Sequence, residues 1–198
     1  MHTNYSPLSS TPLKTGASFV RPFQALPERV KLSNSALDVM TDLTKISVVS
    51  VRAKTSMDKA NAKMIKYGVR MLLVLDDSEQ VAGLITASDV LGEKPMRYLQ
   101  NMGGTHADIM VRDVMTTQRE LEVLNIQDVK SAKVGDVVAS LKKSNRQHAL
   151  VVSEAADGRQ TVCGLFSITQ IARQLGAQVQ GFELARTLTE IEAAIARG

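Results

Sequence analysis

The chain has 198 residues, 44% of them hydrophobic and 22% charged, which is enough to bury the core of one good-sized domain or of two small ones. Aromatic residues make up only 4% and tryptophan is absent, so a platform for stacking nucleic-acid bases is not expected. The net charge of +4 is scattered along the chain, which does not favour nucleic acid as the partner. The single cysteine, Cys163, excludes an intrachain disulfide framework.

The N-terminal region contains no targeting pattern. It lacks the basic-then-apolar order of a secretory signal, and no apolar run in the chain has membrane-spanning length. With the single cysteine, this predicts a cytoplasmic protein. Residues 1–18 are rich in Ser, Thr and Pro, so we expect a mobile tail there, followed by an N-terminal extension at 19–36.

The body of the chain contains an internal repeat. The letters DVMT occur at Asp38–Thr41 and again at Asp113–Thr116, and a second phrase occurs as GLITASDVLG (Gly83–Gly92) and GLFSITQIARQLG (Gly164–Gly176). Repeats of this length indicate two copies of one supersecondary unit. We place the copies at 37–103 and 104–177.

The first copy has a clear element order. The β-branched run Ile46–Val51 predicts a strand. A helix follows, with Thr55 or Ser56 as N-cap and Gly68 as stop. Its predicted buried face consists of Met57, Ala60, Met64 and Tyr67. The letters RMLLVL and QVAGLIT then predict a hairpin, and a short helix begins after Thr86.

The second copy repeats this order after a short linking helix, whose apolar positions are Met96, Leu99 and Met102. Its helical stripe consists of Val134, Val137, Val138 and Leu141, and its hairpin strands are HALVV and TVCGLF, with a tight turn at Asp157-Gly158. A longer insertion lies between Thr117 and Ala132.

Each copy is therefore a strand-helix-strand-strand-helix (βαββα) unit. The predicted fold is α/β, with mixed sheets in which the first two strands are parallel and the hairpin is antiparallel. We expect each unit to have little core of its own, so that the two sheets pack face to face and share one.

Residues 178–198 predict an amphipathic helix. Leu184, Leu188, Ile191 and Ile195 form an apolar stripe at helical spacing, which must be buried somewhere. Docking on its own module and a dimer contact explain the stripe equally well.

The doubled DVM start, the element order and the closing Gly-apolar-apolar-Ser/Thr-x-x-Asp phrase resemble a tandem pair of cystathionine β-synthase (CBS) domains, often called a Bateman module. The resemblance extends from Leu37 to Gly176 and implies two repeats related by a pseudo-twofold axis. It also implies a regulatory module that binds adenine nucleotides, or occasionally S-adenosylmethionine, in clefts. In such clefts the Ser/Thr contacts phosphate, the Asp holds the ribose hydroxyls, basic residues ahead of the second strand reach phosphates, and adenine lies near the first strand.

The closing phrase has suitable chemistry for this role. A carboxylate can accept both ribose hydroxyls, and a hydroxyl at a helix start suits an anion. Thr86 and Asp89 are the first-copy candidates, with Ser167 and Gln170 as their counterparts. Since Gln170 has no charge, it should weaken ribose binding by about 1–2 kcal/mol, which makes the first copy the better predicted site. The alternative is a capping box, which SITQ fits literally and TASD loosely.

Phosphate contacts are predicted from Arg70 and His148, with Arg146 as a further candidate, because their positive charges together suit a di- or triphosphate. Ile46, Ser47 and Val48 are the predicted adenine wall. A solvated strand start, an edge histidine and plain sheet core are the respective alternatives.

No pattern indicates catalysis. His2, His106 and His148 lack metal-ligand spacing with Cys163, and the chain has no nucleophile elbow, Walker loop or dinucleotide fingerprint. We therefore predict a regulatory protein without a required cofactor that binds AMP, ADP, ATP or S-adenosylmethionine, with Mg²⁺ as a companion of ATP. A homodimer and an unidentified protein target are its predicted partners. The alternatives are an interaction protein with empty clefts and, more weakly, a nucleic-acid-binding protein.

Overall fold

The computed structural model describes residues 9–12, 14–17, 23–177 and 184–196. The strands are β1 (Thr41–Asp42), β2 (Ser50–Arg52), β3 (Met71–Leu75), β4 (Val81–Thr86), β5 (Thr116–Thr117), β6 (Val123–Asn125), β7 (His148–Glu154) and β8 (Gln160–Ser167). The helices are α1 (Met57–Tyr67), α2 (Ala87–Leu91), α3 (Lys94–Met102), α4 (Val111–Val114), α5 (Ile126–Ser131), α6 (Val134–Lys143), α7 (Ile168–Gln174) and α8 (Leu184–Ile195). Short 3₁₀ turns lie at Ala36–Val39, His106–Asp108 and Gln118–Glu120. None of the helices so described is long and apolar enough to cross a bilayer.

Within these residues the strands form two four-stranded sheets, in the orders β2-β3-β4-β5 and β1-β8-β7-β6. β2 pairs with β3 in parallel and β3 with β4 antiparallel, while β6, β7 and β8 repeat this arrangement. The predicted α/β class with mixed sheets is confirmed. Strand β6 and helix α5, which lie in the predicted insertion, have no counterpart among the predicted elements.

The opening strand of each repeat joins the sheet of the other repeat. β1 pairs with β8, placing Asp42 opposite Gly164, and β5 pairs with β4, placing Thr117 opposite Gly83. Backbone bonds extend the exchange, since the amide of Val134 at the start of α6 bonds to the carbonyl of Asn34 at 2.9 Å. Each sheet is therefore complete only when both repeats are folded.

In the described chain, the buried apolar residues form three clusters. The first lies between the first sheet and its helices and includes Ile109, Val111 and Val114 from the start of the second repeat. The second lies on the other sheet and includes Ala36 and Val39 from the start of the first repeat. The third and smallest lies between the sheets and consists of Met71, Leu73, Leu84 and Leu150.

The expectation that each unit has little core of its own is therefore wrong. The first cluster draws nine of its twelve buried members from its own repeat, and the exchanged segment adds only Ile109, Val111 and Val114, so this cluster is larger than the shared one without them.

Two local predictions are also corrected. The predicted strand Ile46–Val51 is shorter, because only Ser50–Arg52 pairs with β3, and of the residues before them Val49 alone accepts a backbone hydrogen bond from β3, from the Leu73 amide at 3.2 Å. The predicted buried face of α1 holds for Met57, Ala60 and Met64, but Tyr67 in the last turn is 54% exposed. Helix α1 ends as predicted, with Gly68 in the left-handed conformation at φ 63°.

The two ends of the described chain pack on helix α7. The side chain of Gln174 donates to the carbonyl of Pro27 at 2.7 Å and to that of Asp38 at 3.1 Å. From α8, Ile191 is buried in the second cluster and Leu188 packs against it, which favours docking on the module over a dimer contact. Ile195 is 43% exposed, and the side chain of Leu184 lies outside the described residues, as do most residues of the predicted tail.

The exchange of strands explains the glycine that opens each closing phrase. A Cβ at Gly83 would collide with the backbone carbonyl oxygen of Thr116, whereas a Cβ at Gly164 would meet the flexible Met40 side chain, its sulfur at 2.6 Å. We expect Gly83→Ala to lower the free energy of unfolding by about 1–3 kcal/mol through this steric conflict, and Gly164→Ala to cost less.

Denaturant titration of both variants checks this expectation. Equal losses, or a larger loss for Gly164→Ala, would contradict a close backbone approach at Gly83.

Candidate functional site

A cavity of about 340 Å³ lies where the two repeats meet. The segment that crosses from β1 to β2 forms one wall, the start of β3 a second, and the second closing phrase a third. Its lining residues are Thr41, Leu43, Ile46, Ser47, Val48, Val49, Gly68, Val69, Arg70, Met71, His148, Leu165, Ser167, Thr169, Gln170 and Arg173. Residues 46–49 precede β2 and are not part of that strand, and their side chains form this wall of the cavity.

Two hydrogen bonds join the repeats beside this cavity. Arg70 Nη1 donates to Thr169 Oγ1 at 3.4 Å, and Ser88 Oγ donates to Gln147 Oε1 at 3.2 Å. Arg70 and Gln147 hold the same position in their repeats, as do Ser88 and Thr169. The repeats are thus joined by two matching contacts between a strand start and a closing helix.

In the first closing phrase, the Asp89 carboxylate is already engaged by its own repeat. Its Oδ2 accepts from the Thr86 amide at 2.8 Å and the Thr86 hydroxyl at 2.7 Å, while the Asp89 amide donates back to Thr86 Oγ1 at 3.3 Å, forming a complete capping box. The other oxygen, Oδ1, pairs with Lys94 Nζ at 2.6 Å. The Asp89 side chain is buried, with 11% of its surface exposed.

The second closing phrase adopts a different arrangement. Ser167 is the N-cap of α7 but makes no capping hydrogen bond through its side chain. Gln170 instead accepts from the Thr41 hydroxyl at 3.4 Å and donates to the carbonyl of Val39 at 3.5 Å. The expectation that SITQ fits a capping box better than TASD is wrong, because Asp89 completes a box with Thr86 whereas the Gln170 side chain bonds to Thr41 and Val39. Ser167 and Gln170 therefore line the cavity.

The cavity carries positive charge. Arg70 is half-buried, and burial lowers the pKa of its guanidinium. The nearby charge of Arg173 lowers this pKa further. Two like charges facing one cavity favour an anion between them.

His148 is the buried titratable group of this region. Burial lowers its pKa to about 4, with Asp89 acting to raise the value and Arg70 to lower it. His148 is therefore uncharged at neutral pH, and the expectation that it contributes positive charge does not hold in this structure. Within the described chain its Nδ1 atom has no hydrogen-bond partner.

Comparisons with known proteins identify the fold. Residues 36–95 match the model of the CBS domain family. An uncharacterised conserved protein from Pyrococcus horikoshii superposes with a TM-score of 0.53 at 21% identity, over 77% of this chain and 100% of its own. A CBS-domain containing protein from Agrobacterium tumefaciens superposes with a TM-score of 0.52 at 17% identity, over 77% of this chain and 96% of its own. No curated protein matches the chain.

The match identifies residues 36–95 as a CBS domain, and the fold of the described chain is similar to that of the solved CBS-domain proteins. A third similar structure is the CBS domain pair of protein MJ0100 in complex with 5′-methylthioadenosine and S-adenosyl-L-methionine, with a TM-score of 0.50 at 17% identity, over 73% of this chain and 97% of its own.

The structure brings most of the predicted site residues to one cavity. Those that line it are Ile46, Ser47, Val48, Arg70, His148, Ser167 and Gln170. Thr86 and Asp89 are not among the lining residues, and Arg146 donates to the carbonyl oxygen of Glu120.

Sequence reasoning missed three polar residues of the cavity, namely Thr41, Thr169 and Arg173. Arg173 lies four residues after Thr169, and this spacing places both on one face of α7. That spacing was the available signal. Thr41 has no such signal, because only the strand exchange brings it to the second closing phrase.

The lowered pKa of His148 predicts a pH-dependent stability. The unfolded chain binds the proton at about pH 6.5 and the folded chain only at about 4. Stability therefore rises with pH through this window, and the contribution is fully present above about pH 6.5. Between about pH 7 and pH 5 we expect wild type to lose about 2 kcal/mol more than His148→Met, which copies the residue at the equivalent position, Met71.

Denaturant titrations of both proteins at these two pH values measure the difference. Parallel losses in wild type and variant would show that the folded-state pKa of His148 is not depressed.

Proposed function

We propose that this CBS pair is a regulatory protein that binds an adenine nucleotide in the cavity bordered by Gln170. The observation that carries the proposal is the convergence, in one cavity, of an apolar wall, uncharged hydrogen-bonding groups and two arginines. Its volume of about 340 Å³ lies within the range of small-molecule sites, about 300–1,000 Å³.

Each part of the ligand has a complementary group in this cavity. Ile46 and Val48 offer apolar surface to the flat faces of adenine. Gln170 and Ser167 offer hydrogen bonds to the ribose hydroxyls, and Arg70 and Arg173 offer positive charge to phosphate. A similar structure supports this assignment. The CBS domain pair of MJ0100 was solved with 5′-methylthioadenosine and S-adenosyl-L-methionine, and both compounds contain an adenosyl group.

This proposal places the site in the second closing phrase instead of the first. Asp89 would have to exchange its contacts with Thr86 and Lys94 before it could accept ribose hydroxyls. Gln170 makes only longer contacts, of 3.4–3.5 Å, which a ligand can replace at lower cost.

Regulation would operate through shape or through a partner. Residues 46–49 form both a wall of the cavity and the entry to β2, so a ligand held there contacts the segment that links the two sheets. A homodimer is part of the proposal, and sedimentation analysis tests it. Exposed apolar side chains that a second copy would cover are Ile65, Tyr67, Met96 and Met102. With ATP, Mg²⁺ would accompany the phosphates.

Calorimetric titration with AMP, ADP, ATP and S-adenosylmethionine tests the function, and a matched pair of variants tests the site. Gln170→Ala should lower nucleotide affinity about two- to tenfold, since a neutral hydrogen bond contributes ~0.5–1.5 kcal/mol. Asp89→Asn, at the equivalent position, should leave affinity within about twofold, because Asp89 does not line the cavity, and should lower stability, because it removes the buried charge that pairs with Lys94.

A larger loss of affinity for Asp89→Asn than for Gln170→Ala would move the site to the first closing phrase. Wild-type protein that binds none of the four compounds would favour the alternative, an interaction protein whose closing phrases serve only the fold.

A further inference from the structure

We infer that the cavity selects anionic adenine ligands over S-adenosylmethionine, and that Arg173 together with Arg70 makes this selection. The inference rests on the proposed function and narrows it to a ligand class. It also assigns a binding role to a residue that the repeat pattern alone does not identify.

The two arginines reach the cavity from different repeats. Arg70 lies at the start of β3, and Arg173 lies in the last turn of α7. Both line the cavity, and Arg70 also donates to Thr169, which precedes Arg173 by one helical turn. A ligand between the arginines would therefore contact both repeats at once.

The charged side chains that line the cavity in the described chain, Arg70 and Arg173, are both positive. Among the lining residues in the described chain, none is an aspartate or a glutamate. The positive charge of Arg173 acts unfavourably on the half-buried guanidinium of Arg70. A phosphate between them removes this repulsion and accepts charge-assisted hydrogen bonds.

S-adenosylmethionine has a net positive charge, because its sulfonium and ammonium groups outnumber its one carboxylate. The cavity offers these two cations arginines where an acidic partner would be needed. Bringing a cation beside two other cations in a partly desolvated site is unfavourable. Gln170, which stands where the first repeat has Asp89, keeps a carboxylate out of this lining.

Arg173→Gln tests the role of the second arginine, with Arg97→Gln as the matched control. Arg97 is exposed on α3, where its side chain pairs with the exposed Glu93, and it does not line the cavity. Calorimetry of wild type and both variants would use adenosine, AMP, S-adenosylmethionine and pyrophosphate.

For wild type we expect AMP to bind at least about tenfold more tightly than adenosine, and S-adenosylmethionine to bind no more tightly than adenosine. Arg173→Gln should lower the affinities for AMP and pyrophosphate about tenfold and that for adenosine less than about twofold. Arg97→Gln should change none of them.

Three results would overturn the inference: S-adenosylmethionine binding as tightly as AMP, an unchanged ratio of AMP to adenosine affinity in Arg173→Gln, or equal losses in Arg173→Gln and Arg97→Gln. A failure of the proposed function would give a different result, in which no adenine compound binds to the wild-type protein. Pyrophosphate binding that depends on Arg173 would then still support an anion site.

Discussion

The opening strand of each repeat pairs with the closing strand of the other, and this exchange governs both the core and the cavity. It carries apolar residues from the start of one repeat into the cluster of the other. It also fixes the glycine at the start of the closing phrase, because the exchanged backbone approaches too closely for a side chain at Gly83. The cavity has the same origin, since residues 46–49 cross from one sheet to the other along its wall.

The two closing phrases have diverged in what their polar side chains do. Thr86 and Asp89 hydrogen-bond to each other's backbone amides in the first turn of α2, and Asp89 also pairs with Lys94. These polar side chains therefore stabilise the fold. Ser167 leaves the first turn of α7 uncapped by its side chain, and Gln170 faces the exchanged strand. The replacement of a carboxylate by an amide therefore does not simply weaken one of two equal sites. It leaves a cavity whose described lining includes Arg70, Arg173 and the Gln170 amide and contains no carboxylate.

Much of the fold could be predicted from local patterns. The hairpins, the helix ending at Gly68 and the mixed pairing follow from periodicity and turn residues, which act over a few residues. The exchange of β1 and β5 could not be predicted from local patterns. A strand of two residues has no periodic signal, and the partner of each strand lies far away in the sequence. That long-range pairing brings Thr41 to Gln170. The charge of His148 could not be predicted either, because it depends on burial that no local pattern indicates.

Hydrogen–deuterium exchange with and without AMP tests most directly whether the second closing phrase forms the binding site. The account predicts slower exchange at residues 46–49, 68–71 and 167–173 when AMP is bound, because these segments surround the cavity. Protection confined to residues 86–94 and 116–123 would place the ligand beside Asp89 and contradict the account.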